Sequence, residues 1–509
     1  MFRSILFDGQ ARTGQAADPE VMRDLNLDQV IRTVIGRADD DFLRPIYMTP
    51  LADAEAVRYR QLVAADLEDS RVRELVAMFG EQMARVRGLL TGGERIHRYQ
   101  RLRWMLDAAQ RYGQAVRELA EGLAGLPLRS GGLTGFRDHL GAHAASGPFL
   151  RLLDDASAAR TALDAVRYNV RIEGLRVRVL PFRDEADYGA EIEETFARFG
   201  RGETRTHQFK FGAAYMTRVE EQIVDRVALL HPEVFGQLER FGVEHEGFVD
   251  ETIERFGREV AFYVGYLDAI EPLRSAGLSF CYPKVEPSGD VEASEAFDLA
   301  LALKRQAGGR LTDGMSLVPN GFSLSGPERL LVVTGPNQGG KTTFARMFGQ
   351  VHHLACLGLP VPGTSARLRL LDRAFSHFDR QERAEDLTGK LEDDLLRLHE
   401  ITECATSRSI VILNESLSST TLEDALAISK DVLATLAERG SIGVCVTFLD
   451  ELSRLDAATV SMVAEVDPSD LTRRTHRILR RPSDGLAYAA ALAEEYGVTY
   501  PAVRAKVIA

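Results

Sequence analysis

The spacing of hydrophobic and polar residues divides the chain into a helical half and a half in which strands alternate with helices. Between residues 20 and 125, and again between 213 and 273, apolar residues recur at the spacing of helices that bury one face. Asp53 precedes one such pattern, where its side chain can cap the first turn. From residue 300, all-apolar runs alternate with helical patterns. The pattern predicts an α-helical region from about 20 to 285, followed by an α/β domain with a mixed sheet.

One segment of the helical half has the spacing of strands instead. Residues 166–172 alternate strictly, Glu173-Gly174 supplies a turn and residues 175–179 alternate again, which predicts a small β hairpin at about 166–180. Its predicted solvent faces carry Arg167, Arg171, Arg176 and Arg178. These arginines form either an ordinary solvated surface that discourages edge pairing or a set of phosphate contacts for nucleic acid. The acidic residues that follow Arg183 favour the solvated surface.

The strongest chemical signal follows the apolar run Leu331-Val332-Val333. It reads Gly335-x-x-x-x-Gly340-Lys341-Thr342 and continues into a helical pattern, which is the strand, loop and helix order of a P-loop. Glycines let backbone N–H groups approach phosphate oxygens, and the helix directs its positive end toward the same anion. Lys341 is expected to reach the β- and γ-phosphates, and Thr342 to hold Mg²⁺. The predicted ATP-binding residues are Gly335, Pro336, Asn337, Gln338, Gly339, Gly340, Lys341, Thr342 and Thr343.

Length, charge and cysteine content narrow the class of protein. A chain of 509 residues is long enough for two to four domains. A net charge of −13 argues against a protein that coats nucleic acid non-specifically. The four cysteines lack metal-ligand spacing, so they are predicted to be reduced and buried. Without an apolar run long enough for a membrane span or a secretory signal, the sequence predicts a cytoplasmic protein with no membrane partner.

The P-loop is also distinctive in its other residues. Thr334-Gly335-Pro336-Asn337-Gln338-Gly339-Gly340-Lys341-Thr342-Thr343 resembles the P-loop of the MutS mismatch-repair ATPases, which reads T-G-P-N-x-G-G-K-[ST]-T. Residues 318–320 and 354–362 resemble the segments that flank this loop in the family. The resemblance covers residues 300–509 well and residues 20–285 more loosely.

The resemblance implies a division into domains. Residues 1–285 are expected to form a helical domain like the core and lever of MutS, and residues 286–299 an acidic linker. Residues 300–480 are expected to form the P-loop ATPase domain, and residues 481–509 a C-terminal helix-turn-helix that packs two ATPase domains of a dimer. Because the core-like sequence begins by about residue 25, the resemblance implies a short member without the mismatch-reading domain and a full connector.

The remaining catalytic positions depart from the family pattern. The apolar run 410–413 ends in Asn414-Glu415, where the family usually has Asp-Glu. By resemblance Glu415 polarises the attacking water, and Asn414 contacts Mg²⁺ through water without the charge of an aspartate. Phe448 stands where the family has a histidine that senses the γ-phosphate, and Leu317 where many members stack an aromatic ring on adenine. These differences imply ordinary or tight ATP binding with slow turnover.

The resemblance further implies a homodimer in which each ATPase domain contacts the other's nucleotide. The residues expected to reach that partner site are Thr388, Lys390, Ser419 and Thr420. The implied function is an ATP-gated DNA clamp in repair or recombination, with ATP and Mg²⁺ as cofactors, weak DNA-dependent ATPase activity and no direct mismatch reading. The alternative is a nucleotide-gated scaffold for a protein partner. The net negative charge of the chain and the altered positions Asn414 and Phe448 favour this alternative. An ABC transporter ATPase is disfavoured because no LSGGQ-like run is visible.

Overall fold

The chain forms two compact units, which are described separately. The computed structural model describes residues 2–9, 13–36, 39–92, 96–174, 176–183, 215–309, 317–379, 389–467 and 469–483. The first unit comprises Met1–Ala77, Pro127–Phe136 and Arg258–Ala509. The second comprises Met78–Leu126 and Arg137–Gly257.

Helices dominate the first half of the chain and alternate with strands in the second. The helices are α1 (Pro19–Asp24), α2 (Leu27–Ile35), α3 (Asp40–Met48), α4 (Ala54–Asp66), α5 (Ser70–Leu90), α6 (Arg98–Ala124), α7 (Gly131–Ala144), α8 (Gly147–Asp164), α9 (Arg218–Leu230), α10 (Pro232–Glu244), α11 (Glu251–Ser275), α12 (Leu299–Ala307), α13 (Lys341–Cys356), α14 (Lys390–Cys404) and α15 (Leu422–Glu438). The strands are β1 (Tyr168–Glu173), β2 (Arg176–Pro181), β3 (Phe280–Cys281), β4 (Lys284–Glu286), β5 (Val291–Ala296), β6 (Asn320–Leu324), β7 (Leu330–Thr334), β8 (Val361–Pro362), β9 (Ser365–Arg369), β10 (Ala374–Phe378), β11 (Ile410–Asn414), β12 (Ile442–Val446), β13 (Thr459–Asp467) and β14 (Asp470–Arg480).

The main sheet of the first unit carries the predicted P-loop. Its strand order is β10-β11-β12-β7-β13-β14. The first five strands pair in parallel, and β14 pairs with β13 antiparallel. This arrangement confirms the prediction of an α/β domain with a mixed sheet. Since the carboxyl ends of parallel strands lie at one edge of a sheet, the loops after β7, β11 and β12 converge there.

The central strands are buried because helices cover both faces of the sheet. Every residue of β7, β11 and β12 is buried. Val332, Val411 and Cys445 belong to the hydrophobic core that also contains Leu398 of α14 and Leu433 of α15. Helix α13 packs on β11 and β12, and the alternation of strand side chains directs the remaining apolar residues toward it.

A second sheet includes part of the segment that the sequence predicts to be an acidic linker. Its strand order is β4-β9-β5-β6. Within residues 286–299, Val291, Ala293 and Ala296 of β5 are buried. The linker prediction therefore differs from the structure here, because alternate apolar side chains of this acidic segment face the core while its charged ones face solvent.

The predicted boundary at residue 285 does not coincide with the division between the compact units. Arg60, in α4, is 1% exposed, and its guanidinium donates to the carbonyl oxygens of Leu6 (3.0 Å) and Leu357 (3.2 Å). Ser376, in β10, donates to Asp24 Oδ2 at 2.7 Å. The Ser376 contact ties α1 to the main sheet, and the Arg60 contacts tie α4 to the N-terminal segment and to the end of α13. They could not be read from helical periodicity, which reports that a face is buried but not its partner.

The second unit is helical apart from the predicted hairpin, which is confirmed. In it α6, α8 and α10 pack against one another. Strands β1 and β2 pair antiparallel, with Arg171 opposite Arg178 and Glu173 opposite Arg176. Because side chains alternate between the faces of a strand, these four charged residues share one face of the ribbon.

Smaller sequence predictions have mixed outcomes. Asp53 caps α4 as predicted, since its side chain accepts from the Glu55 N–H at 3.2 Å. Cys356 and Cys445 are buried, but Cys404 is exposed, so the prediction of four buried cysteines is wrong. Cys404 ends α14, where the helix reaches the surface.

In the part of the chain that the structure describes, no helix has the length and apolar character needed to span a membrane. Residues 484–509, which include most of the predicted helix-turn-helix, lie outside the described residues.

Candidate nucleotide-binding site

The loop between β7 and α13 has the backbone that its glycines permit. Gly335 has φ +118° and Gly340 has φ +95°, both in the region that residues with a Cβ rarely occupy. A Cβ at Gly335 would lie 3.0 Å from Cβ of Ala464 in β13, and one at Gly339 would lie 2.9 Å from the same atom. The loop is therefore pressed against β13, and only glycine fits at these points.

Lys341 is enclosed at the start of α13. Its side chain is 3% exposed, and Nζ donates to the carbonyl oxygens of Gly335 at 2.9 Å and Pro336 at 3.2 Å. Nζ also lies 3.8 Å from Oε1 of Glu415 and 4.4 Å from the centre of the Phe448 ring. Burial lowers the pKa of Lys341 below its ordinary value, and the Glu415 carboxylate partly opposes this shift. The ammonium is thus held among its own loop carbonyls, one carboxylate and one aromatic face.

Two predicted residues, Asn414 and Glu415, lie at the end of β11. Glu415 lines the cavity beside Lys341 and Thr342, and its backbone has φ +55° with its N–H donating to Val446 O at 2.9 Å. Asn414 is 7% exposed, and none of the described residues donates a hydrogen bond to its Oδ1. A buried acceptor without a donor among the described residues suits a metal-bound water, and the oxygen atoms of Asn414 and Thr342 are of the kind that Mg²⁺ prefers. Thr342 lines the cavity, whereas Asn414 is not among its lining residues.

The cavity beside the P-loop has a volume of about 270 Å³. Its walls contain the predicted residues Asn337, Gln338, Gly340, Lys341, Thr342, Thr343 and Glu415, together with Leu317. Val318 and Asn320, which the resemblance placed beside the P-loop, also line it. The sequence did not single out the other lining residues, which are Ala296, Phe297, Asp298, Leu301, Arg305, Phe344, Met347 and His476. Most of the latter come from α12, α13 and the strands on either side, and a fold is needed to bring them together.

His476 is the clearest of the residues that the sequence analysis missed. It lies in β14 with φ +59°, and its carbonyl accepts from Asn320 Nδ2 at 3.1 Å. Asn320 Oδ1 in turn accepts from the Ile478 N–H at 2.7 Å. Arg474, also in β14, donates to the Asn337 carbonyl at 3.2 Å. Strand β14 therefore closes one side of the cavity. No local sequence signal marks His476, since its contribution depends on the antiparallel return of this strand.

A buried amide fixes the opposite wall. Gln350, in α13, is fully buried and its Nε2 donates to Asp298 Oδ1 and to Leu25 O, each at 2.8 Å. Its Oε1 accepts from the Leu299 N–H at 2.8 Å. Asp298 also caps α12 by accepting from the Leu301 N–H at 3.0 Å. The P-loop helix and the start of α12 are consequently held at one separation across the cavity.

Comparison with known proteins identifies this fold. Residues 331–494 match the family model of MutS domain V. This segment belongs to the MutS family. Among relatives, the endonuclease MutS2 of Thermus thermophilus is 35% identical over 26% of this chain and 18% of the relative. The DNA mismatch repair protein MutS of Desulfovibrio desulfuricans is 26% identical over 64% of this chain and 35% of the relative.

A further relative, the DNA mismatch repair protein MutS 2 of Halobacterium salinarum, is 26% identical over 68% of this chain and 38% of the relative. This chain therefore spans less than two fifths of the length of the MutS-family relatives it matches. The matched segment holds the P-loop, Glu415 and β14, whereas the cavity wall formed by residues between 296 and 320 precedes it in the chain.

The structure describes three of the four residues predicted to reach a partner subunit. Lys390 Nζ lies 2.6 Å from Asp379 Oδ1 and donates to Ser418 Oγ at 3.1 Å, so its charge is engaged within its own chain. Ser419 is exposed and donates to Asp394 Oδ2 at 3.5 Å. Thr420 is half-buried beside it, whereas Thr388 lies outside the described residues. Their role in a dimer stays a prediction.

The four hairpin arginines are not equivalent. Arg167 precedes β1, and its Nη1 donates to the carbonyl oxygens of Asp164 (2.8 Å) and Val166 (3.2 Å), so it completes the end of α8. Arg171, Arg176 and Arg178 are exposed on the ribbon. Arg178 lies 3.9 Å from Glu173. Two arginines directly opposite each other repel, so the pairing of Arg171 with Arg178 does not stabilise the ribbon by itself.

Proposed function

We propose that this protein binds ATP with Mg²⁺, hydrolyses it slowly and acts as a homodimeric, ATP-gated clamp on DNA or branched nucleic acid in repair or recombination. The observation that carries the nucleotide part is the convergence of Lys341, Thr342 and Glu415 on one cavity at the carboxyl edge of the sheet. Phosphoryl transfer needs a cation at the phosphates, a metal ligand and a group that orients water, and these three side chains supply them.

Magnesium would be held by Thr342 and, through water, by Asn414. When bound it would neutralise charge on the phosphate oxygens. Glu415 would orient the attacking water, and its left-handed backbone directs the side chain away from the buried strand toward the cavity. Asn414 brings no charge and Phe448 no hydrogen bond, so both residues support slow turnover.

The DNA part rests on the relatives, two of which are named for DNA mismatch repair. The face that carries Arg171, Arg176 and Arg178 supports it as a place for phosphate contacts. The experiment is to measure binding and ATPase rate with duplex, mismatched and four-way DNA and with RNA, across a salt series. We expect binding at low salt that weakens as salt rises. No binding to any nucleic acid at low salt would remove the clamp from the proposal.

A nucleotide-gated protein scaffold is the second candidate. It is favoured by the net charge of −13 and by the exposed ring of Phe448 at the nucleotide site. Affinity purification with and without ATP separates the two. A stoichiometric protein partner recovered only with ATP, without nucleic acid, would place this candidate first.

A further inference from the structure

The loop that follows β11 holds Glu415 in a backbone conformation that residues with a Cβ seldom adopt. Glu415 has φ +55° and Leu417 has φ +64°, both in the left-handed region. This region costs free energy for a bulky residue, so the surrounding structure must hold the loop there. Leu417 supplies one anchor, because its side chain is buried in the core that also contains Leu398 of α14. The direction of Glu415 therefore depends on how the rest of this loop is held.

Ser419, which follows in the same loop, is tied to a buried pair of polar side chains, His377 and Asp394. Its Oγ donates to Oδ2 of Asp394, in α14, at 3.5 Å. Oδ1 of the same carboxylate lies 3.0 Å from Nε2 of His377. His377 belongs to β10 and lies beside Leu413 of β11, two residues before Glu415. The two side chains are only 11% and 10% exposed, so little water is available to replace either partner.

A second, more exposed pair contacts the same loop. Nζ of Lys390, at the start of α14, lies 2.6 Å from Oδ1 of Asp379 and donates to Ser418 Oγ at 3.1 Å. Asp379 follows β10, and its N–H donates to the carbonyl of Asn414 at 3.1 Å. These two charged side chains are 23% and 35% exposed, so solvent reaches them more readily than it reaches the buried pair. The buried pair is therefore the anchor that water can least replace.

We propose that Asp394 is a positioning residue for ATP hydrolysis, which holds the loop after β11 so that Glu415 faces the cavity. One carboxylate oxygen accepts from the loop, and the other contacts the sheet through His377. The loop thereby keeps a fixed relation to the strand that precedes Glu415. The inference rests on the proposed role of Glu415 in hydrolysis, and it does not depend on DNA binding.

The test compares hydrolysis with nucleotide binding in the full chain with Mg²⁺. Asp394→Ala should lower the rate of ATP hydrolysis by about 10- to 100-fold, because a small displacement of a catalytic group is costly. The dissociation constant for ADP, measured by calorimetry, should change by less than about threefold, since the P-loop still holds the phosphates. Glu392→Ala removes an exposed carboxylate from the first turn of the same helix and is the matched control. It should leave both quantities at the parent value.

Two further variants separate positioning from a general loss of structure. Asp394→Asn keeps an oxygen that can accept from Ser419, and its rate should stay within about threefold of the parent. Ser419→Ala removes the donor at an exposed position, where folding is not at risk, and should lower the rate by about fivefold. If Asp394→Ala does not fold, Ser419→Ala decides the question.

Hydrogen exchange of the backbone amides of residues 415–420, measured by mass spectrometry, reports on the loop without any hydrolysis. Exchange should be faster in Asp394→Ala and Ser419→Ala than in the parent, because a loop that has lost an anchor opens more often. Asp394→Asn and Glu392→Ala should exchange as the parent does. Parent-like exchange in both alanine variants of the contact would overturn the inference, whatever their rates.

The outcomes distinguish this inference from the proposed function. If the parent and Glu415→Gln hydrolyse ATP equally slowly, the proposed hydrolysis fails and the inference falls with it. If the parent is faster than Glu415→Gln while Asp394→Ala and Ser419→Ala keep the parent rate, Glu415 retains its role and Asp394 is not a positioning residue. A loss of ADP affinity in Asp394→Ala as large as its loss of rate would also overturn the inference, since it would indicate a general structural role.

Discussion

Nζ of Lys341 lies 3.8 Å from Oε1 of Glu415, although Lys341 begins α13 and Glu415 follows β11, 74 positions later in the chain. The contact joins the phosphate-binding cation to the residue expected to orient water. Each charge stabilises the other, and because the Lys341 side chain is buried the attraction is stronger than between two exposed groups. Replacement of Lys341 is expected to affect nucleotide binding, and replacement of Glu415 is expected to affect hydrolysis.

Lys341→Ala should abolish nucleotide binding or weaken it at least about 100-fold, because it removes the cation that faces the phosphates. The fold should persist, since the change also removes a buried charge. Binding of a fluorescent ADP analogue and thermal unfolding by circular dichroism measure the two properties. Lys430→Ala, at an exposed position on α15, is the control and should bind as the parent does. Unchanged affinity in Lys341→Ala would contradict the assignment.

Glu415→Gln should lower the rate of ATP hydrolysis by about 10²- to 10⁴-fold while nucleotide affinity is kept, because the amide cannot take a proton from water. Phosphate release under single-turnover conditions measures the rate. Glu423→Gln, which changes an exposed carboxylate in the first turn of α15, should hydrolyse at the parent rate. If Glu415→Gln hydrolyses ATP at the parent rate, either another base acts or catalysis is absent. That result would favour the nucleotide-gated protein scaffold over the clamp.

Asn414→Asp should raise Mg²⁺ affinity in the presence of nucleotide, because a carboxylate adds a charge where the amide Oδ1 now has no described donor. The concentration of Mg²⁺ at half-maximal nucleotide binding should fall, and the hydrolysis rate should rise. Asn414→Leu fills a similar volume without an oxygen, so it should raise the required Mg²⁺ concentration. Identical Mg²⁺ dependence in all three proteins would exclude Asn414 from the metal site.

Gln350→Leu should lower the free energy of unfolding by about 1–3 kcal/mol, because it removes one hydrogen bond to the buried Asp298 carboxylate and the side-chain partner of the Leu299 N–H and the Leu25 carbonyl. Denaturant titration measures the change. Gln29→Leu is the control, since its amide is exposed and donates only to the neighbouring Asn26; its effect should stay within about 0.5 kcal/mol. Equal stabilities of the two variants would show that the amide network does not hold the cavity wall.

Replacing Arg171, Arg176 and Arg178 by alanine should weaken DNA binding and reduce its salt dependence. Each lost phosphate contact lowers the slope of log affinity against log salt by about 0.9. Arg167→Ala is the control, because this guanidinium is already engaged by carbonyl groups of its own helix end. If the triple variant and the parent have the same slope, the arginines form a solvated surface only.

The sequence by itself determined the elements whose signal is local. The P-loop, the strand before it, the strand that ends in Asn414-Glu415 and the hairpin near residue 170 were all predicted at nearly their observed bounds. Each depends on residue types at fixed short spacing: glycines where φ is positive, apolar runs in buried strands, and alternation in a two-stranded ribbon. The Asp53 cap was predictable for the same reason.

Only the tertiary structure decided which distant groups share the site. His476 and Asn320 close the cavity through a hydrogen bond between strands that are far apart in sequence. Gln350 fixes the other wall through Asp298. The buried contacts of Arg60 join α4 to the N-terminal segment and to the end of α13, and β5 lies within the segment expected to be a linker. Periodicity states that a side chain is buried, whereas its partner is set by how the elements pack, and that information is not local in the chain.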